Sequence, residues 1–340
     1  MNTIDTLRAL CHAAGVGGLT DAADTAKALL TPLVDEVWRD TLGNVCGVRR
    51  CGKEGAPVLL LEAHLDEIGL IVTGIDDKGF LRFDKCGGVD RRALQAAPVV
   101  VWGRSACPGV ICTTPPHLAG KDKTLPEIAD MAIDVGLSKE ETEAVIAPGD
   151  RVSFASNFTA LTADRVTGKA LDDRAGVAAV LLALEHLQNK PLCMDVLVCF
   201  AVQEELGGHG AKAAGFRLHA DYAIATDVSF AHTPDARADQ CGVLGEGAML
   251  GIAPILDHTF VKRLETLAKT EDIPLQYEVM GGRTGTDADE LAVAAGGVRT
   301  ALLSTPLRYM HTPAEMAVTT DIEAVARLMA AVAEKGADGE

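Results

Sequence analysis

The sequence predicts an α/β fold in which helices sandwich a mainly parallel β-sheet, with a small β-barrel-like domain inserted into it. Outside the insert, apolar strand patterns alternate with helical patterns, as parallel sheets require. Between about 68 and 160 the pattern changes to short β-rich runs separated by Gly, Pro and Asp. Such runs are typical of a small barrel or sandwich. We therefore divide the chain into a discontinuous domain, 1–67 and 161–340, and an inserted domain, 68–160.

Two helices and two strands are predicted before the insert. Apolar residues recur near a spacing of 3.6 over 3–14 and 20–33, which predicts helices. Strands are predicted at 38–49 and 56–65. The second contains Pro57-Val58-Leu59-Leu60-Leu61, a continuous apolar run that suits a strand buried on both faces.

Strands and helices alternate again after the insert. Inside the insert only one helix has a clear start, at the capping box of Ser138 and Glu141. A second capping box, of Thr320 and Glu323, predicts the start of the last helix, which runs to about residue 335. The remaining predicted elements are a buried helix at 174–188, a helix at 258–269, and strands at 194–202, 222–225, 276–279 and 300–304.

Composition excludes two classes of partner. The 340 residues include 31 Lys and Arg against 48 Asp and Glu, a net charge of −17. Proteins that bind nucleic acid or anionic lipid present basic surfaces, so we expect neither partner here. The nine cysteines form no CxxC pair, and the N-terminus has no secretory signal pattern. Free thiols are typical of reducing compartments, so the sequence predicts a cytoplasmic protein.

Potential metal ligands follow four apolar runs and open the buried helix. Carboxyl ends of parallel strands share one edge of a sheet. Buried carboxylates and imidazoles are costly unless they are paired or bind metal. We therefore expect one shared site. Its candidate residues are His64, Asp66, Asp172, Glu204, Glu205, Asp227 and His311.

The donor types suit two divalent cations. Imidazole nitrogens and carboxylate oxygens without thiolates fit Zn²⁺, Co²⁺ or Mn²⁺. A carboxylate can bridge two ions about 3.5–4 Å apart, as in co-catalytic hydrolases. The adjacent Glu204 and Glu205 cannot face one way in a regular strand. At a strand end, however, one can bind metal while the other faces water as a general base.

Six motifs carry a resemblance to a known family, and they occur in the family's order across almost the whole chain. The chain resembles the co-catalytic metallo-aminopeptidases that include the tetrahedral (TET) and glutamyl aminopeptidases, some of whose members are labelled endoglucanase or cellulase. The resemblance implies a zinc-peptidase-like catalytic domain. The motifs are Ala63-His64-Leu65-Asp66-Glu67-Ile68-Gly69, Lys169-Ala170-Leu171-Asp172-Asp173-Arg174, Val202-Gln203-Glu204-Glu205-Leu206-Gly207, Ala225-Thr226-Asp227-Val228, Gly285-Thr286-Asp287-Ala288 and Arg308-Tyr309-Met310-His311-Thr312-Pro313.

The resemblance implies a metal ligand set. One ion would be held by His64, Asp172 and Asp227. The other would be held by Asp172, Glu205 and His311, so that Asp172 is the bridge.

The resemblance also implies the catalytic roles. Glu204 would be the general base that activates the metal-bridging water and returns its proton to the leaving amine. Asp66 would hydrogen-bond His64 and fix its tautomer. The peptide bond between Asp172 and Asp173 would be cis.

The activity implied is removal of N-terminal residues from short peptides by an aminopeptidase. The insert would be a dimerisation domain, and dimers would assemble into a dodecameric tetrahedral shell. Arg283 precedes the Gly285-Thr286-Asp287 segment, which we interpret locally as a helix cap. From that position Arg283 could favour an acidic side chain in the substrate.

Four alternatives remain open at this point. The same metal scaffold also suits a carboxypeptidase or an N-acyl amino-acid deacylase. A glycosidase would need two carboxylates across a sugar bond and no metal. The non-enzymatic alternative is a metal-stabilised assembly protein.

Overall fold

The described residues form an eight-stranded mixed sheet flanked by helices, a closed six-stranded barrel and a small three-stranded sheet. The computed structural model describes residues 1–115, 117–118, 124–234 and 236–338. The predicted α/β class with an inserted β-barrel is thereby confirmed. The large sheet and the barrel each have their own hydrophobic core.

The first part of the chain forms two helices and three strands. The N-cap of the first helix is Asn2, whose side-chain oxygen accepts the Asp5 N–H at 3.0 Å. The predicted strand 38–49 is in fact two antiparallel strands. Gly43 has a φ of 105°, and the Asp40 carboxylate accepts N–H groups within the turn. The elements are α1 (Thr3–His12), α2 (Asp21–Leu30), β1 (Glu36–Arg39), β2 (Val45–Arg49) and β3 (Val58–His64).

The barrel strands all lie within the predicted insert, although 116 and 119–123 are outside the described residues. The predicted capping box is confirmed, because Ser138 N donates to Glu141 Oε2 at 2.9 Å and Glu141 N donates to Ser138 Oγ at 3.4 Å. The domain boundaries remain a prediction. The elements are β4 (Gly69–Ile75), β5 (Leu81–Cys86), β6 (Pro98–Trp102), β7 (Ala106–Cys112), β8 (Ala132–Asp134), α3 (Lys139–Val145) and β9 (Arg151–Phe154).

The last part of the chain completes the large sheet and its helices. The predicted Thr320 capping box is wrong. The last helix begins at Thr319, its N-cap is Val318, and no side chain caps it. The elements are β10 (Thr159–Ala160), β11 (Arg165–Gly168), α4 (Leu171–His186), β12 (Asp195–Ala201), α5 (His209–Leu218), β13 (Tyr222–Phe230), β14 (Ala248–Ile252), α6 (His258–Thr270), β15 (Leu275–Val279), α7 (Ala288–Leu291), β16 (Arg299–Leu307), β17 (Glu315–Val318) and α8 (Thr319–Lys335).

The large sheet is parallel at its centre. Its order is β1-β2-β12-β3-β13-β16-β14-β15. The strands from β12 to β16 run parallel, whereas β2 and β14 pair antiparallel with this central group. The buried helix α4 packs on β3, β13 and α8. This arrangement brings the ends of β3 and β12 and the start of α4 to one edge of the sheet.

Within the described ranges, no helix combines the length and the apolarity that crossing a bilayer would require.

Candidate active site

The predicted ligands meet where two neighbouring parallel strands separate. The last paired residues of β3 and β13 are Glu62 and Ala225. His64 and Asp227 lie two residues further on, with His64 Nε2 at 3.8 Å from Asp227 Oδ1. A gap between diverging strands at their carboxyl ends is where α/β sheets bind ligands. Asp227 lies within β13 rather than at its end, because β13 continues to pair with β16.

Asp172 lies between the two predicted histidines. Its Oδ1 is 3.0 Å from His64 Nε2, and its Oδ2 is 3.4 Å from His311 Nε2. The implied cis peptide bond between Asp172 and Asp173 is present. Asp173 Oδ1 accepts the Gly176 N–H at 2.8 Å and so caps the regular part of α4. The two adjacent carboxylates thus have different partners, Asp173 the start of α4 and Asp172 the histidines.

These side chains form two groups that share Asp172. The first comprises His64, Asp172 and Asp227, and the second comprises Asp172, Glu205 and His311. Within each group the ligand atoms lie within 4.8 Å of one another. All five residues predicted as metal ligands are thus brought together, and each group offers one imidazole and two carboxylates.

Burial and neighbouring charges perturb the acid–base properties of this cluster. Burial raises the pKa of Asp227 well above its usual range and, together with the Asp172 charge, that of Glu205 to about 7. Burial also opposes ionisation of Asp172, but hydrogen bonds from His311 and His64 outweigh it and lower the Asp172 pKa. The bond to Asp172 raises the pKa of His311 to about 9. Burying several carboxylates close together is unfavourable in free energy, and bound cations would offset this cost.

Glu204 and Glu205 lie on a turn that directly follows β12. Gln203 precedes them with a left-handed backbone conformation, at a φ of 64°. The Asp66 carboxylate then accepts the N–H of Glu204 at 3.0 Å and that of Glu205 at 3.2 Å. Glu205 Oε1 lies 3.4 Å from His311 Nε2, whereas Glu204 belongs to neither ligand group. Burial raises the pKa of Glu204.

Asp66 contacts His64 differently from the expectation. His64 Nδ1 donates to the main-chain oxygen of Asp66 at 3.1 Å, whereas the nearest carboxylate oxygen is 3.6 Å away. The longer distance exceeds a normal hydrogen bond. The main chain of Asp66 therefore orients the imidazole, and its carboxylate orients the Glu204-Glu205 turn.

The insert contributes Gly88 to the lining of the site. Gly88, which follows β5, accepts a hydrogen bond on its main-chain oxygen from His311 Nδ1 at 3.1 Å. A β-carbon added at Gly88 would lie only 2.6 Å from the same nitrogen. A glycine is therefore required here for the imidazole to present Nε2 to Asp172 and Glu205.

We expect Gly88→Ala to displace His311 and to weaken metal binding or activity about 10- to 100-fold, as losses of supporting contacts around metal ligands do. Metal titration and peptidase assays would measure the effect. Gly74→Ala is the matched control, because a β-carbon at Gly74, also in the barrel, would meet nothing within 4 Å. Equal behaviour of the two variants would contradict the expectation.

One supporting residue, Glu315, is missing from the sequence predictions. Its Oε2 accepts the Asp172 N–H at 3.1 Å, and its Oε1 accepts the His311 N–H at 3.0 Å. The side chain is 1% exposed. It therefore fixes the main chain of two predicted ligands. Its only signal in the sequence is a spacing of four residues from His311.

The proposed specificity role of Arg283 has no support in its contacts. Arg283 Nε donates to Asp289 Oδ2 at 3.0 Å, and its Nη2 donates to Glu290 Oε1 at 3.3 Å. Arg283 is not among the residues that line the cavity at the ligand cluster.

The ligand cluster opens into a cavity of about 370 Å³. Among the described residues, those that line it include no Lys or Arg. The cavity is therefore acidic. Apart from the ligands, Glu204 and Gly88, it is lined by Val228, Ser229, Phe230, Glu278, Thr284, Gly285, Thr286, Ser304 and Met310.

Comparison with known proteins assigns the chain to a family. A family model described as M42 glutamyl aminopeptidase matches residues 43–328, a range that includes all the predicted site residues. The chain belongs to the M42 family. It is therefore a peptidase of a metal-dependent family, and the resemblance inferred from its motifs is confirmed.

Relatives described as aminopeptidases match the M42 chain over most of its length. A lysyl aminopeptidase from Pyrococcus furiosus is 33% identical and the match covers 97% of this chain and 96% of the relative. A glutamyl aminopeptidase from Lactococcus lactis is 29% identical, with 92% and 90% covered.

Solved structures of similar proteins share the whole fold of the M42 chain. The aminopeptidase APDkam598 from Desulfurococcus kamchatkensis superposes with a TM-score of 0.92 at 35% identity, covering 98% of this chain and 95% of that one. The TET1 peptidase of Pyrococcus horikoshii, described as assembling into a tetrahedron or a large octahedral shell, superposes with a TM-score of 0.87 at 32% identity. The superposition covers 98% of this chain and 100% of that one. A Thermotoga maritima protein described as an endoglucanase gives 0.79 at 29%, covering 97% of each.

Proposed function

We propose that this M42 protein is a dinuclear-metal-dependent aminopeptidase that removes N-terminal residues from short peptides. The observation that carries the proposal is the pair of ligand groups sharing Asp172, with Glu204 in the same cavity. A carboxylate between two imidazoles suits two bridged ions. A carboxylate beside them that belongs to neither group suits a general base.

The residues present fit two divalent ions. One ion would be held by His64, Asp172 and Asp227, and the other by Asp172, Glu205 and His311. Nitrogen and oxygen donors without thiolates fit Zn²⁺ or Co²⁺ best, and also Mn²⁺. Two such ions would bring a charge of +4 against −3 from the three carboxylates, in a cavity whose described walls carry no Lys or Arg. When bound, they polarise the scissile carbonyl and lower the pKa of a water molecule.

In this mechanism Glu204 moves the proton. Its carboxylate accepts a proton from the attacking water and returns it to the leaving amine. Asp66 accepts the Glu204 N–H and so fixes the main chain that carries this side chain. Positioned general bases contribute about 10²- to 10⁴-fold to such reactions.

Family membership favours this activity over carboxypeptidase, N-acyl amino-acid deacylase, glycosidase and non-catalytic assembly functions. The test is a panel of aminoacyl-anilides, N-acyl amino acids and a soluble glucan, with each metal added back after chelation. Cleavage of aminoacyl-anilides alone, lost on chelation and restored by metal, is expected. Glucan cleavage that persists with chelator would contradict the proposal.

We also propose that the protein assembles through its β-barrel insert into dimers and then into a dodecameric shell. The relative that forms tetrahedral or octahedral shells supports this proposal. Active sites inside such a shell would admit short unfolded peptides rather than nucleic acid or membrane. Sedimentation that shows a persistent monomer at micromolar concentration would contradict it. Location in the cytoplasm remains a prediction from the cysteine pattern.

Metal uptake is expected to release protons and to weaken as the pH falls. The pKa of His311 is raised to about 9 and that of Glu205 to about 7 in the metal-free chain. Both groups must lose a proton to act as ligands. His311 is protonated below about pH 9 and Glu205 below about pH 7, so the apparent affinity should fall progressively over this range and below it.

Calorimetric titrations of the metal-free protein in buffers of different ionisation enthalpy would count the protons released. We expect at least one proton per protein at pH 8. Affinity that is independent of pH between 6 and 9 would contradict the assigned ligands.

A further inference from the structure

One carboxylate in the cavity has no role in the chemistry proposed above. Glu278, on β15, lines the same cavity as the predicted metal ligands but belongs to neither ligand group. Its side chain accepts hydrogen bonds from the hydroxyls of Ser229 and Ser304, the latter at 3.3 Å. In the described part of the chain it takes part in no ion pair.

The two serines place Glu278 relative to the reacting centre. Ser304 is the register partner of Asp227, and Ser229 follows Asp227 by two residues. Because side chains alternate along a strand, both serines share a sheet face with Asp227. Glu278 lies on β15, two strands beyond Ser304 and three beyond Asp227 in the sheet order, so it reaches Ser304 from the side away from Asp227.

The surroundings of Glu278 favour binding of a positively charged substrate group. Glu278 is half-buried, and a carboxylate partly removed from water is costly unless a positive charge compensates it. Burial raises the pKa of Glu278, and the two serine hydroxyls only partly oppose this effect. No Lys or Arg lies among the described residues that line the cavity. A positively charged group on the substrate would supply the missing charge.

Two cations could come from a peptide, its α-ammonium group or a basic side chain. The α-nitrogen lies only about 2.5 Å from the scissile carbonyl carbon, so it must stay beside the metal ligands. A Lys or Arg side chain is long enough to extend past them. The position of Glu278 beyond the serines therefore favours the side chain.

We propose that Glu278 is a specificity-determining residue that selects substrates whose N-terminal residue is Lys or Arg. The inference rests on the proposed aminopeptidase function and assigns its substrate class. The cavity holds the basic side chain at Glu278, while the scissile bond lies at the ligand cluster. Arg283 is engaged with Asp289 and Glu290, so it leaves the acidic character of the cavity unchanged.

The test compares wild type with Glu278→Gln on Lys-, Arg-, Leu- and Glu-p-nitroanilides. Wild type should prefer Lys and Arg. Glutamine keeps an acceptor for the serines but loses the charge, so kcat/KM for Lys and Arg should fall about 10- to 100-fold. The value for Leu should change less than about twofold. Glu143→Gln, on the exposed surface of α3, removes the same charge outside the cavity and should leave all four values unchanged.

A uniform loss across the four substrates would overturn the proposal, because it would place the α-ammonium or a structural role at Glu278. A wild-type preference for Leu or Glu over Lys would also overturn it. Calorimetric titration of lysine amide and leucine amide into the metal-loaded protein measures the same selectivity without turnover. If lysine amide binds more tightly than leucine amide and Glu278→Gln abolishes this difference, the role of Glu278 is supported. If no anilide is cleaved in the same experiments, only the proposed aminopeptidase function fails.

Discussion

Glu204→Gln is expected to lower kcat by about 10³-fold while metal stoichiometry stays at the wild-type value. The reason is that glutamine keeps the size and polarity of the side chain but cannot accept the proton of the attacking water. Glu204 belongs to neither ligand group, so the metal ligands remain complete. Steady-state kinetics on an aminoacyl-anilide and elemental analysis of the purified variant would provide both values.

Glu205→Gln is the informative comparison, because it makes the same chemical change one residue further along the chain. Glu205 faces His311 in the second ligand group, so its replacement should weaken binding of one ion. The activity of Glu205→Gln should recover in part when metal is added in excess, whereas the activity of Glu204→Gln should not recover. Near-normal turnover of Glu204→Gln would remove the assigned base.

The pattern of polar residues after apolar runs predicts one shared site, and the structure brings these residues together. Their roles as metal ligands come from the family resemblance and stay a prediction. His64 ends β3, and Glu205 follows β12 on a turn, as the edge of a parallel sheet requires. These residues converge because sheet topology brings strand ends together whatever their separation in sequence. Asp227 fits less well, since it lies within β13, and it is available only because β3 stops pairing with β13 two residues earlier.

The supporting residues could not be predicted in the same way. Gly88 acts on His311 across the junction between the barrel and the large sheet, and the sequence carries no pattern for such a contact. Glu315 accepts main-chain N–H groups. Nearly every residue has such a group, so the sequence does not indicate which ones a side chain will bind. Helix α5 was missed because its segment contains two glycines, and glycine lowers helix propensity.

The Gly285-Thr286-Asp287 motif predicts a helix cap, but tertiary packing determines what the Asp287 side chain contacts. Asp287 occupies the N-cap position of α7 but makes no side-chain cap bond there. Its side chain is buried near Glu62, and burial raises the pKa of Asp287 to about 7 and that of Glu62 well above its usual range. A sequence pattern of Gly-Thr-Asp describes a helix start correctly but does not reveal that the carboxyl group is buried beneath the ligand cluster.

Asp172→Asn is expected to remove both metal ions and to lower activity by at least about 10³-fold, whereas Asp173→Asn should retain both. Asp172 belongs to both ligand groups, and the histidines on each side lower its pKa. The carboxylate is therefore ionised, and both proposed ions would depend on its negative charge. Burial raises the pKa of Asp173 well above its usual range, so a neutral amide resembles the state that its surroundings favour. Asparagine at 173 can still accept the Gly176 N–H through its oxygen.

The adjacent pair therefore separates a charge requirement from a packing requirement with one type of substitution. Elemental analysis and thermal unfolding with and without metal would measure both variants. Asp172→Asn should lose the metal-dependent rise in Tm, because a ligand stabilises only the state that binds it. It should also unfold more readily than the metal-free wild type above about pH 4, where the lowered pKa makes the ionised carboxylate stabilising. Retention of two ions by Asp172→Asn would show that the two ligand groups are not joined through this carboxylate.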